Sequence, residues 1–440
     1  MAKKVTPFSS LTETVLTELA AGHCVSITGL SNSGKSNLMR SLADQNVKKF
    51  YKAKAGRPGF LIYIDCNRAV AISGQAFYEV VLRSTLERLS DEVPNSLLTN
   101  LQGYHQTITE ADSTFTASLS FNLALSELGK ELGQNLCLLF DEFDEIYTAL
   151  DNRALLNLRA LRDRFRDRLV FATATRRRLS GLRGDAIEDE FAELFSRFTY
   201  NMPLLSIAES RALLASLNLP DLKKEVQDKA FELAGGHPGM LVAVSQALTH
   251  LPKDWEGDLA AYVRLEPQPR AECMKLWYQL NADERAGLSS LVLEPNAGLP
   301  QQQIRHLTSL GMLVANQPFS PIFADFIARK SRGHDVEVRG VYLDTDSGDV
   351  WVDGVRIPVL TDLEYRLLEL LYERRDKLTD KFQIVTAVWG EEYLGSVDDA
   401  RVEKLISRLR GKIEPNPTSP IYLITRRGRG YKLLTTPRST

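Results

Sequence analysis

A chain of 440 residues, 44% apolar and 25% charged, is too long for one core and has the composition of an ordinary soluble protein, so it is expected to divide into two to four domains. No apolar run approaches eighteen residues and the opening MAKKVTPFSSLTETVL lacks the apolar stretch of a secretory leader, which sets a cytoplasmic expectation with no membrane partner. The net charge of −2 conceals a polarity: residues 400–440 hold ten Lys and Arg against Glu403 and Glu414, a local +8. Cys24, Cys66, Cys137 and Cys273 show no metal spacing, which suits packed thiols better than disulfides or zinc.

Along the first 205 residues the apolar runs HCVSITG (23–29), FLIYIDC (60–66), LCLLFDE (136–142), LVFATAT (169–175) and FTYNMPL (198–204) read as buried strands separated by helix-length segments. That alternation predicts an α/β fold with a parallel sheet covered on both faces. Residues 103–120, polar and β-branched without a clear period, read as an irregular excursion. From Ser206 the pattern is helical, and GGHPG (235–239) marks one helix end and the next helix start. Two short helices and a β-wing follow to about 331, then a hinge at 330–335. Beyond it lie a small antiparallel sheet, three helices and a final hairpin. The expected domains are 1–205, 206–252, 253–333 and 334–440.

Gly29 to Ser36, GLSNSGKS, fits G-x-x-x-x-G-K-[ST] between a strand and a helix. Its backbone N–H groups can wrap phosphate oxygens, with the following helix N-terminus adding a favourable dipole. Gly29, Asn32, Ser33, Gly34, Lys35, Ser36 and Asn37 form this candidate nucleotide site, Lys35 reaching the β and γ oxygens and Ser36 ligating Mg²⁺. In LCLLFDEFDE four apolar residues carry Asp141 to a strand end, where it can hold Mg²⁺ through water. Glu142 beside it is the candidate general base for attack by water. The bland alternative for DEFDE is an acidic helix start favoured by the macrodipole.

These motifs resemble the additional-strand P-loop ATPases, in particular the AAA+ and STAND (signal-transduction ATPase with numerous domains) branch, over about residues 5–330. The resemblance implies ATP and Mg²⁺ as cofactors and a helical lid over 206–252. It gives Thr175 and Arg176 a sensor role at the end of the fourth strand, and it brings His237 and Pro238 of the lid motif to the adenine. Arg197 in LFSRF stands where AAA+ proteins carry an arginine finger acting on a neighbouring subunit's ATP. A local salt bridge to Glu193 or Asp189 is the other reading, and the finger would make the protein an ATP-dependent homo-oligomer.

The segments LTDLEYRLLELL, KLTDKFQIVTAVWG, RVEKLISRLRGKIE and YLITRRGRGYKLL resemble the OmpR/PhoB-type winged helix over 336–436. This implies double-stranded DNA as partner, with a recognition helix in the major groove and a wing in a minor groove. The residues agree independently: Val402, Ile406, Leu409 and Ile413 fall on one helical stripe, while Arg401, Lys404, Arg408 and Lys412 form a neighbouring basic one. Arg426, Arg427 and Arg429 sit on the hairpin, Arg427 matching the family's arginine before Gly-x-Gly-Tyr. The pattern departs at Leu405, where the family favours His, and at Arg401, where it favours Thr. The helix LPQQQIRHLTSLG resembles a second winged helix, but with Arg305 as its only fixed positive charge it is expected to pack within the molecule. The whole reads as an ATP-dependent transcriptional regulator with RNA polymerase among its partners; the alternative is a loader, defence or transposition ATPase that uses the winged helix as a DNA tether.

Overall fold

The computed structural model describes residues 7–183, 190–217, 219, 222–252, 255, 257–294, 298–332, 340–343, 350–353, 355–358, 360–390, 399–426 and 428–434. The chain divides into two compact units, Met1–Asn218 with Ile304–Asn316, and Leu219–Gln303 with Gln317–Thr440.

The first unit is built on five strands: β1 (Val25–Thr28), β2 (Gly59–Asp65), β3 (Asn135–Asp141), β4 (Leu169–Thr175) and β5 (Thr199–Asn201). All pair in parallel, in the order β2-β3-β4-β1-β5. Every residue of β3 and β4 is buried, which explains why these segments read as continuous apolar runs and not as alternating ones. Insertion of β4 between β1 and β3 is the arrangement of the additional-strand P-loop class. It sets Thr28 beside Thr175 and Asp65 beside Asp141, so the C-terminal ends of four strands meet along one rim.

The segment read as irregular is helical. Asn95–Thr109 and Thr114–Glu131 form two packed helices, the second burying Ala117, Ser120, Phe121, Ala124, Leu125 and Leu128 at the i, i+3, i+4, i+7 spacing of a helix. Two serines on the buried face and the exposed Phe115, Leu119 and Leu123 on the other blur that period in the sequence. No described helix is long and apolar enough to cross a membrane. All four cysteines are free and buried.

In the second unit, helix Lys224–Ala234 ends at Gly235 with φ 60°, and helix Pro238–Thr249 begins with its proline in the first turn, as GGHPG predicts. Helices Ala282–Leu293 and Pro321–Ser331 and the short strand Gln317–Pro318 follow in this unit, while most of helix Gln301–Ser309 and the strand Leu313–Val314 fall in the segment Ile304–Asn316 of the first. The hinge read at 330–335 extends beyond 332, outside the described residues. Strands Val341–Leu343, Val350–Val352 and Val355–Arg356 then form an antiparallel sheet. Helices Asp362–Glu373, Lys381–Trp389 and Asp399–Ile413 precede the hairpin Leu423–Arg426 and Gly430–Leu433. Leu367, Leu371, Ile384, Val388, Leu409 and Leu423 centre a core shared by all three helices, the sheet and the hairpin.

Candidate functional site

The phosphate loop leaves β1 and turns twice through the left-handed region, at Asn32 (φ 57°) and Gly34 (φ 94°), before helix Lys35–Leu42 begins. A side chain at Gly34 would also meet the Phe8 ring at 2.5 Å, so the position demands glycine on two grounds. The Lys35 ammonium is buried, donating to the carbonyls of Gly29 at 2.7 Å and Leu30 at 3.2 Å. Ser33 Oγ is buried with no hydrogen-bond partner among the described residues. An orphaned hydroxyl, a desolvated ammonium and a loop wound through positive φ fit a polyanion such as a nucleotide's phosphate chain. Ser36 is half-buried in the first helical turn, and Asn37 is exposed.

Asp141 is 1% exposed at the end of β3, accepting the Glu142 N–H at Oδ1 (3.0 Å) and the Tyr63 hydroxyl at Oδ2 (2.8 Å). Glu142 follows with φ 49°, a conformation that costs a non-glycine residue on the order of 1 kcal/mol. The turn is tied to β4: Phe143 N–H donates to Ala174 O (3.2 Å), and Asp144 Oδ1 accepts the Arg176 N–H (2.8 Å). Thr175 Oγ1 donates to Arg177 O at 2.7 Å. Burial holds the Glu142 carboxyl above its ordinary range; the charges of Lys35 and Arg176 oppose that rise, and those of Asp141 and Asp144 add to it. Lys35, more than a hundred residues earlier in the sequence, thus shares one electrostatic site with Asp141, Glu142 and Arg176. Each keeps the donor or acceptor chemistry that Mg²⁺ and a triphosphate need.

Arg197 is exposed, two residues before β5, its guanidinium 5.7 Å from the Phe198 ring centre. Among the described residues it makes no ion pair; Glu193, one of the two partners weighed for it, is held by Arg159 at 2.8 Å. Asp189 lies outside the described residues. In the second unit His237 caps helix Pro238–Thr249, Nδ1 accepting the Met240 N–H at 3.2 Å, and both His237 and Pro238 are buried.

On the helix Asp399–Ile413, Val402, Leu405, Ile406, Leu409 and Ile413 are buried, whereas Arg401, Lys404 and Arg408 are exposed along one face. Arg401 also lies 5.9 Å from the Trp389 ring centre. Lys412 is turned instead to Glu364, Nζ to Oε2 at 2.7 Å. Arg426 and Arg429 are exposed at the hairpin tip; Arg427 lies outside the described residues. Two residues that the motifs do not mark fix the helix against this hairpin. Arg410 donates to Leu423 O (2.6 Å) and Thr425 Oγ1 (2.8 Å), and the Glu414 carboxylate accepts the N–H groups of Ile421, Tyr422 and Leu423. The signal for both was positional: a charge next to the apolar stripe, half-buried at Arg410 and buried at Glu414 by the strand that follows.

The fold and the site define a P-loop ATPase-type core fused to a C-terminal OmpR/PhoB-type winged-helix domain. Residues 357–433 match the family model described as "Transcriptional regulatory protein, C terminal". The chain is 40% identical over 84 residues to the uncharacterized transcriptional regulatory protein YrkP of Bacillus subtilis, covering 19% of this chain and 36% of that one. It is 37% identical over 98 residues to the sensory transduction protein RegX3 of Mycolicibacterium smegmatis, covering 22% and 42%. The chain therefore spans about two fifths of the length of the curated relatives it matches. Among solved structures it is similar to the Walker-type ATPase PABY2304 of Pyrococcus abyssi, at 17% identity over 73% of this chain and 96% of that one, with a TM-score of 0.44.

Proposed function

We propose that the protein is an ATP-dependent DNA-binding regulator of transcription, a STAND-like switch whose nucleotide state sets its assembly and thereby its affinity for DNA. The observation that supports it is the presence in one chain of a complete charge set at the phosphate loop and an exposed basic helix face beside a basic hairpin. Bound Mg·ATP supplies a γ-phosphate open to in-line attack by water. Lys35 is already stripped of water, so exchanging its two carbonyl partners for phosphate oxygens carries little further dehydration cost. Ser36 and Asp141 hold the metal. Glu142, its carboxyl raised by burial, orients water and takes its proton. Thr175 and Arg176 sense the γ-phosphate. Arg197, exposed and in no ion pair among the described residues, acts on a neighbouring copy.

At the other end Arg401, Lys404 and Arg408 enter the major groove while Arg426, Arg427 and Arg429 grip an adjacent backbone or minor groove. Lys412, committed to Glu364, stays out of the contact set. Assembly joins two or more such domains on tandem half-sites, multiplying weak single affinities and presenting the array to RNA polymerase. Footprinting the full chain on DNA upstream of its own coding sequence, with ADP and with a non-hydrolysable ATP analogue, tests this. A protected block that appears at lower protein concentration with the ATP analogue supports the regulator. Equal binding to scrambled duplex in every nucleotide state, with turnover stimulated by any DNA, replaces it with the tethered-ATPase alternative.

A further inference from the structure

Tyr63 belongs to none of the nucleotide or DNA motifs, yet it touches the centre of the nucleotide site. It stands on β2, and its hydroxyl donates to Asp141 Oδ2 at 2.8 Å. The other carboxylate oxygen accepts the Glu142 N–H, so the rotamer of Asp141 is pinned from both sides while each oxygen keeps a lone pair for a further partner. The Tyr63 ring also lies under the Arg40 guanidinium, 5.5 Å from its centroid, and Arg40 is part of the helix that opens with Lys35. One aromatic side chain therefore bridges the helix of the phosphate loop and the acidic strand end, the two elements that must keep their spacing for a metal to be held between Ser36 and Asp141.

We propose that Tyr63 is a positioning residue for the metal: its hydroxyl orients the Asp141 carboxylate, through which it sets the affinity for the nucleotide-bound divalent cation. This rests on the nucleotide-site reading above, and its chemistry is that of an outer-shell partner whose loss costs about 10- to 100-fold in metal affinity.

The test compares full-length wild type with Tyr63→Phe, which keeps the ring and removes only the hydroxyl. Mn²⁺, followed by the electron paramagnetic resonance of the free ion, is titrated into protein saturated with ADP, and ADP affinity is measured separately in EDTA. The expected result is a loss of Mn²⁺ affinity of about 10-fold or more with metal-free ADP affinity unchanged. In an Asp141→Asn background the same substitution should add less than about twofold, since the two groups act as one unit. Unchanged Mn²⁺ affinity in Tyr63→Phe overturns the proposal, as does a parallel loss of ADP affinity in EDTA, which marks a structural role. Failure of the wild type itself to bind ADP and Mn²⁺ is a separate outcome: it removes the ATP reading and this proposal with it.

Discussion

Glu142, the proposed base, sits in left-handed backbone, and such a conformation persists only where its surroundings hold it. The bonds from Phe143 to Ala174 and from Arg176 to Asp144 provide that hold. Glu142→Gln is expected to bind ATP normally and to slow hydrolysis by about 10²- to 10⁴-fold, measured by phosphate release in single turnover. Lys35→Ala should abolish nucleotide binding outright, because the phosphates lose their charge partner and the carbonyls of Gly29 and Leu30 lose their donor. Arg197 permits a sharper experiment. As a finger in trans, Arg197→Ala should lower turnover by about 10³-fold at protein concentrations that assemble, with ATP affinity within about twofold of wild type. Equal loss in a verified monomer would assign Arg197 a structural role instead.

At the scale of the element, helix Asp362–Glu373 begins with a capping box in which Glu364 reaches back to the Thr361 N–H at 2.9 Å and also meets Lys412. Burial pushes the Glu364 carboxyl up, but the bonds from Lys412 and Thr361 outweigh it and hold it below its ordinary value of 4.5. A depressed folded value means that this stabilisation is complete above pH 4.5 and is lost as pH falls through the folded value. Glu364→Gln should therefore destabilise the protein by about 1–3 kcal/mol at pH 7, and the gap to wild type should close on acidification, as read from urea midpoints at pH 7, 4 and 3. The same scale shows what was legible in the sequence. Three of the five strands lie within their apolar runs, and β2 and β3 begin one residue ahead of theirs, because buried parallel strands need uninterrupted hydrophobicity. The helix Asp399–Ile413 and its apolar stripe were equally plain, since 3.6-residue periodicity survives when the opposite face is charged. Helix Thr114–Glu131 escaped because residues 114–126 carry no charge at all, leaving both faces without contrast. Tyr63 escaped for a different reason: a hydrogen bond between neighbouring strands spans 78 residues of sequence and leaves no local pattern.

For the whole molecule the prediction joins the two ends of the chain. Arg408→Ala or Arg429→Ala should weaken binding to specific and scrambled duplexes alike and reduce the salt slope by about one unit, since one fewer counterion is released. Arg401→Ala should instead relax discrimination at one position of the site, by roughly 1–3 kcal/mol if the contact is bidentate. Glu142→Gln, trapped with ATP, should hold the assembled mass and the tightest DNA binding, whereas Lys35→Ala should bind DNA only as well as a single winged helix does. Sedimentation with and without DNA checks both. A DNA affinity in Lys35→Ala equal to that of ATP-bound wild type would uncouple the two ends.

The four buried thiols make the chain a natural clock for its own opening. Burial pushes Cys137 up to about 12 and raises Cys24, Cys66 and Cys273 as well, so none offers a thiolate to an alkylating reagent in the native state. Three of them belong to the first unit and Cys273 to the second, so peptide-resolved pulse labelling would time the loosening of each unit separately, with no engineered reporter. Nucleotide should slow modification at Cys66, which lies among Asp65, Asp141, Glu142 and Asp144, and the extent to which Cys273 slows in step would measure how far the bound state is felt along the chain.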